Sequence, residues 1–382
     1  MKKKILIIHH HKKFGGASKS LSEYLKILKK KYNFDIICPF GTTYKFFERE
    51  KYSLIGLPGI SCINITEVGL YKNFRLFLLI REIYYFVFTF YTFYKLRKNN
   101  YDLIHLNDSS LIILAPIIKK FFKVNIICHI RTRLVKKKHI FKKIINRISK
   151  KYISCFICID QSTYSTSLER KKSYIIYNIF SGKKIKSKKN NSFNIGFIGA
   201  LDFHKGLDFF FECIKKIIKK NKNIKFVIAG ELTVKNTFLI TLLSLFRIKK
   251  NFHKEINEFK NRNYNCQFLG NVNNLENFYG NIDLIVFPSR MNALGRPIIE
   301  ANFYGIPSIV CLKNSFYDTI KNKKTGYVVK FGDNKLFVNY VLKLYKNRKL
   351  LNKLGNNAKK NFIKIHNTKK NLHKLDQIYS NY

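Results

Sequence analysis

The chain has 382 residues, enough for two domains of ordinary size, each with its own core. Hydrophobic residues make up 46% and aromatic residues 15%, which excludes a disordered chain, although 73 Lys and Arg stand against 22 Asp and Glu for a formal charge of +51. Such a charge points to anionic partners, whether a membrane surface, nucleic acid or phosphorylated substrates. No nucleic-acid-binding module is recognisable, and part of the lysine excess fits the Lys-, Asn-, Ile-, Phe- and Tyr-rich, Trp-free usage of an AT-rich genome. In chain order, residues 3–10 predict an apolar strand, too short in its apolar core for a signal peptide. A turn with Gly15 and Gly16 and an amphipathic helix over about 17–30 follow, a βα unit of the kind that sets backbone beside a ligand. His9, His10 and His11 are consecutive, so at most two share a side of an extended chain, a poor metal site.

Strands at 34–40, 101–107, 124–130, 155–160 and 174–178 alternate with helical stretches at 73–98, 109–121 and 137–151. The alternation implies a parallel sheet whose ligands gather at the C-terminal strand ends. His105 and His129 fall at or near such ends. Residues 76–94 are the most apolar stretch, yet Arg81 and Glu82 cut it below bilayer-spanning length, so no transmembrane helix is predicted. Cys155 and Cys158 lie on opposite faces of a predicted strand, which suits neither a metal nor a disulfide. All eight cysteines read as reduced, mostly buried thiols.

Residues 180–192 are lysine-rich without apolar periodicity and predict an exposed linker. A second βα series then begins with a strand at 194–201 carrying Gly199. Lys205 and Gly206 precede a helix with Leu207, Phe210, Phe211, Ile214 and Ile217 on one face. A lysine at a helix start opposes the helix dipole, so its presence there points to a functional reason. A strand at 224–230, an apparent insertion at 231–262, a strand at 266–270 and a short helix at 274–280 come next. The stretch 283–307 reads DLIVFPSRMNALGRPIIEANFYGIP: strand, polar loop, then a helix opening at Pro297 and stopping near Gly305. Proline suits the first helical position, which aims the amides near Gly295 and Arg296 outward at the positive end of the dipole, as a diphosphate site requires. Glu300, one turn in, is placed to accept the hydroxyls of a ribose. A strand at 307–311 and helices from about 333 complete the chain.

The pattern P-S-x(5)-G-R-x(3)-E-A followed by G-x-P resembles the signature of family-4 (group 1) GT-B retaining glycosyltransferases. The K-G turn, FVIAGE and FLGNV stand in the same order as in that family. The resemblance implies an α/β fold, GT-B, with two Rossmann-like domains facing each other across a cleft. Residues 1–180 would form the acceptor side, with a C-terminal helix at about 365–382 packing back on it, and 181–364 would bind the nucleotide sugar. It implies transfer of a sugar from a UDP- or GDP-linked donor to a glycan or lipid-linked acceptor, in bacterial surface polysaccharide or lipopolysaccharide synthesis. The enzyme would be of hexosyltransferase type and act in the cytoplasm, peripherally on the inner face of an anionic membrane. Donor binding would fall to Gly15, Gly16, Gly199, Lys205, Gly295, Arg296 and Glu300, and catalysis to His129, Asn292 and Lys205. IICHIR resembles the segment ending in the family's active-site histidine. With no D-x-D pair, neither a metal nor another cofactor is expected. The chain departs from the family at two places. Asn292 replaces the first Glu of the E-x(7)-E motif, and Ala200 stands where an Arg often follows the strand glycine, so that Arg290, Arg296 or His204 would have to substitute. An amide binds hydroxyls but cannot act as a nucleophile, so Asn292 in an active enzyme would serve sugar recognition. The alternatives are a catalytically inactive, membrane-associated GT-B binding protein and a GT-B sugar-nucleotide epimerase.

Overall fold

Short apolar runs, buried on both faces, become strands of two parallel sheets, the arrangement that βα alternation favours. The computed structural model describes residues 2–67, 78–135, 140–183, 185, 192–232, 252–262, 264–272, 274–291, 294–313 and 318–382. The chain divides into one unit of Met1–Ser181 with His366–Tyr382 and a second of Gly182–Ile365.

In the first unit the strands are β1 (Lys4–Ile8), β2 (Asn33–Pro39), β3 (Ser53–Leu57), β4 (Leu103–Leu106), β5 (Asn125–Ile130), β6 (Cys155–Cys158) and β7 (Ser173–Ile175). They are ordered β3-β2-β1-β4-β5-β6-β7, and every pairing is parallel. Strand order reverses between β1 and β4, the switch point beside which ligands of such sheets bind. The Thr42–Arg49 helix and β3 escape the sequence reading, because β3 is a half-exposed edge strand without a clean apolar run. The stretch expected as one helix at 109–121 is a 3-10 turn, Ser109–Leu114, running into a helix at Ala115–Phe121. Asp108 starts the turn by accepting the Ser110 amide, which draws the backbone into the tighter winding. Cys155 packs on one face of the sheet, with Ile5 and Ile157, and Cys158 on the other, with Leu6 and Phe156. The final helix, Thr368–Asn381, buries Leu375, Ile378 and Tyr379 against Ile5, Ile7, Phe34 and Ile36 of the same unit. Asp376 pins it, accepting from Lys31 Nζ (2.8 Å) and Tyr32 Oη (2.7 Å).

In the second unit β8 (Phe193–Ile198), β9 (Ile224–Ala229), β10 (Cys266–Gly270), β11 (Leu284–Phe287), β12 (Ser308–Cys311) and β13 (Gly326–Val329) form a parallel sheet ordered β10-β9-β8-β11-β12-β13. Its switch point lies between β8 and β11. The Leu207–Lys220 helix buries Leu207, Phe210, Phe211, Ile214 and Ile217, the face that helical periodicity marks out. Each such side chain contributes about 1.5–3 kcal/mol on burial. Part of the apparent insertion is core: the helix Phe252–Asn261 stacks Phe259 on Phe211 with ring centroids 4.4 Å apart. The rest of it, 233–251, lies outside the described residues, as does most of the expected linker. Among the described residues no helix is long and apolar enough to cross a membrane.

Candidate functional site

The switch point of the second unit brings together two loops from distant parts of the chain. After β8, Gly199 adopts φ +153° and the chain turns through 202–206. Gly206, at φ +73°, caps the Leu207–Lys220 helix in the left-handed region, and a Cβ there would sit 1.8 Å from the Pro288 carbonyl oxygen. Only glycine fits both conditions. Gly230 closes on the first loop in the same way: at φ +132° its Cβ would stand 1.8 Å from the Gly199 oxygen.

After β11 the chain reaches the helix Arg296–Tyr304, which starts one residue earlier than expected, with Pro297 in its first turn and Gly305 at φ +74° ending it. Gly295 precedes it, and a Cβ there would press into the Phe287 ring at 2.6 Å. The same ring lies under Lys205, whose Nζ is 5.4 Å from its centroid. Phe287 thus sets the Lys205 ammonium and the start of the Arg296–Tyr304 helix on one aromatic surface. Among the described residues the ammonium has no carboxylate or hydrogen-bond partner, and burial lowers its pKa, opposed by Asp202. Neither Gly206 nor Gly295 caps its helix with a side chain, whereas the helices beginning at Asn274 and Asp333 are capped by their own side chains. Two uncapped helix starts and a desolvated ammonium are the groups that an anion with several oxygens would use.

The second cation is more constrained. Arg290 forms a bidentate pair with Asp208 (2.6 Å and 2.6 Å), donates to the Phe203 carbonyl and lies 3.6 Å from the Phe203 ring centroid. It ties the two loops together, so of the three groups expected to stand in for the Arg missing at Ala200, Arg290 already holds Asp208. His204 accepts from the Arg290 amide and Ser289 Oγ through its carbonyl, while its side chain is exposed. Arg296, partly buried, pairs with the buried Glu300 (Nε to Oε1, 3.3 Å). Glu300 Oε2 accepts from Tyr279 Oη at 2.8 Å. Burial and Glu300 itself raise the phenol's pKa well above its usual range, so Tyr279 remains a donor. Tyr279 carries no sequence signal: it lies on a short helix 21 residues away from Glu300. Asn292 lies outside the described residues.

In the first unit the switch point carries a buried polar network. Gly15 is extended (φ −156°) and caps the Gly16–Leu28 helix without a side chain. His9 receives Asn107 Nδ2 on Nδ1 (2.7 Å), which makes its Nε2–H the donor to Ser18 Oγ (2.9 Å). Asn107 in turn accepts from Arg131, a cation that sequence reasoning missed. His105 Nε2 lies 2.7 Å from His129 Nδ1, and the rings stack at 4.9 Å. Burial, followed by Arg131, lowers both imidazoles, His105 to about 3, so both are neutral. Burial likewise lowers His9, His10 (to about 4) and His11. His9 belongs to the buried polar network, with His10 and His11 partly buried beside it; among the described residues no group of three or more His, Cys, Asp or Glu is placed to hold a metal ion.

The family model for glycosyl transferases group 1 matches residues 180–361. A capsular polysaccharide biosynthesis glycosyltransferase, CapM, of Staphylococcus aureus is 27% identical over 171 residues, 45% of this chain and 41% of the relative. A UDP-Gal:α-D-GlcNAc-diphosphoundecaprenol α-1,3-galactosyltransferase of Escherichia coli is 28% identical over 199 residues, 52% of this chain and 48% of the relative. The matches thus span less than half the length of these two relatives. Anabaena HepE, solved with UDP and glucose, aligns over 100% of both chains with a TM-score of 0.74 at 15% identity. Two parallel sheets flanked by helices, with the same whole-chain course as that structure, are the GT-B architecture. Residues 180–361 thus match the group 1 glycosyl transferase family, within a chain that has the GT-B fold.

Proposed function

We propose that the protein is a retaining glycosyltransferase that takes a sugar from a nucleotide-diphospho-sugar, UDP- or GDP-linked, to a glycan or lipid-linked acceptor in bacterial surface polysaccharide or lipopolysaccharide synthesis. The observation that carries this reading is the unpaired, desolvated Lys205 ammonium on Phe287, beside the uncapped start of the helix that holds Glu300. As the bond from the sugar carbon to the diphosphate breaks, negative charge collects on the leaving group, and charges already in place stabilise it most. Lys205 and the amides near Gly295 and Arg296 have that task, and Glu300 holds the ribose. Gly15, Gly16 and Gly199 let backbone approach the donor, while His129 and Asn292 contact the transferred sugar. UDP in HepE and the UDP-Gal donor of the E. coli relative support a uridine nucleotide. The leaving charge is met by Lys205 and the helix start, so the reading calls for no metal. A screen of UDP- and GDP-sugars for thermal stabilisation and for hydrolysis tests it: stabilisation by one nucleotide series with slow release of its sugar is the expected result. No response to any nucleotide would overturn the donor site. Ala200 and the Arg290–Asp208 pair favour a second reading, a protein that binds nucleotide sugars without turnover, because the usual second cation is absent or engaged. Nucleotide binding without hydrolysis or transfer would select it.

The proposed place of work is the inner face of an anionic membrane. The helix Leu78–Leu96 turns Phe93 and Thr89 inward and leaves Ile80 (71%), Ile83 (68%) and Val87 (62%) exposed beside Tyr84 and Tyr91. Lys95 and Arg97 lie over the rings of Tyr91 and Tyr94. The helix Ile140–Tyr152 adds Lys142, Lys143, Arg147, Lys150 and Lys151. Apolar and aromatic side chains with basic neighbours suit a bilayer interface, where each basic residue near an anionic surface contributes about 1 kcal/mol. The protein is expected to sediment with vesicles containing phosphatidylglycerol, to be released in part by salt, and to bind neutral vesicles far less. Equal binding to both would sink the proposal.

A further inference from the structure

Behind His129 stands a single file of hydrogen bonds that no part of the transfer reaction has used. Tyr379, on the final helix, is fully buried, and its Oη lies 2.8 Å from His105 Nδ1. His105 Nε2 is 2.7 Å from His129 Nδ1. The file ends at His129 Nε2, which is buried and has no hydrogen-bond partner among the described residues. Residues 105, 129 and 379 come from β4, β5 and the C-terminal helix, and the helix is held in place by Lys31 and Tyr32 on Asp376.

Both rings are neutral, so each carries one proton, and the file has only two settings. In the first, Tyr379 donates to His105 Nδ1, His105 Nε2–H donates to His129 Nδ1, and the last proton sits on His129 Nε2 at the end of the file. In the second, every proton is reversed: His129 Nδ1–H donates to His105 Nε2, His105 Nδ1–H donates to Tyr379, and the phenol proton has nowhere to go. Among the described residues the Tyr379 hydroxyl has no partner but His105. The second setting therefore leaves two buried groups unpaired, the phenol O–H and the His129 Nε2 lone pair, against one in the first. A buried unpaired donor or acceptor costs about 1–3 kcal/mol, so the first setting wins.

We infer that Tyr379 is a positioning residue that acts through His105 to set the tautomer of His129, presenting His129 Nε2–H as a hydrogen-bond donor to an oxygen of the bound sugar rather than as a base. The inference deepens the glycosyltransferase reading and rests on it for the identity of the ligand. The tautomer itself is independent of that reading. The C-terminal helix thus has a task beyond packing: it brings the one hydroxyl that orders the two rings.

Nitrogen-15 NMR of the full chain labelled at histidine tests the arrangement directly, with His105→Gln and His129→Gln assigning the signals. His129 is expected to carry its proton on Nε2 in the wild-type protein. Tyr379→Phe removes the only donor to His105 Nδ1 among the described residues, after which each setting leaves two groups unpaired and both are populated. A wild-type His129 protonated on Nδ1, or a tautomer unmoved by Tyr379→Phe, would overturn the inference whether or not the protein turns over a sugar. In an active preparation, equal populations halve the competent fraction, so Tyr379→Phe is expected to lower kcat at least about twofold with free-nucleotide affinity unchanged. In a His129→Gln background, where no ring remains to be set, the same change is expected to have no further effect. Full, independent effects of the two substitutions would count against the relay.

Discussion

Replacing Lys205 by alanine is expected to lower sugar transfer by about a hundred- to a thousand-fold, the usual effect of removing one preorganised stabiliser of developing charge. The fold should survive, because the Lys205 ammonium has no hydrogen-bond or ion-pair partner among the described residues to lose and Gly206, not Lys205, holds the left-handed cap. Arg290→Ala makes the instructive contrast. Its guanidinium is committed to Asp208 and the Phe203 carbonyl, so its loss removes the bidentate cation from a buried carboxylate and is expected to reduce stability before it reduces diphosphate affinity. Steady-state rates, calorimetry with the free nucleotide and thermal denaturation of the two variants separate the cases. Near wild-type turnover in Lys205→Ala would remove this residue from the donor site.

Mild acid is expected to unfold the first unit. His9, His10, His105 and His129 are all held neutral by burial, with His10 lowered to about 4 and His105 to about 3. In the unfolded chain the same side chains titrate near 6.5. Their folded values are depressed, so the unfolded state binds more protons below pH 6.5. The stability is complete above that value and is lost as pH falls towards the folded values, at about 1.4 kcal/mol per pH unit for each group. Four such groups lose about 5 kcal/mol per unit once well below pH 6.5, comparable with the whole stability of an ordinary domain. Asp108 acts in the same direction at lower pH: burial raises its carboxyl, but His10, His11 and the Ser110 bonds more than offset this and hold it below its usual value. Urea midpoints at pH 7.5, 6.5 and 5.5, with amide exchange to locate the opening, give the check. A midpoint that stays level down to pH 5.5 would show that these rings are charged or solvated in the native protein.

Much of the architecture is legible in one sequence because its signals are local. A strand of a parallel sheet is a short apolar run, and the apolar face of the Leu207–Lys220 helix repeats at helical spacing, so both can be read within a few residues. The sequence by itself also places Lys205 at a helix start, Gly295 and Pro297 at another, and Glu300 one turn beyond. Elements whose apolar pattern is diluted by exposure, such as β3 at the sheet edge, were not legible in this way. Tertiary structure alone decided which groups meet. Phe287 brings Lys205 beside the helix start of Gly295, Arg290 is claimed by Asp208 from 82 residues away, and Tyr379 closes the file on His105 across 274 residues. The reason is physical. Propensity and periodicity act through the backbone over a few residues, whereas the partner of a buried charge or hydroxyl is chosen by whatever the folded sheet brings within about 3 Å, and that distance has no counterpart along the chain.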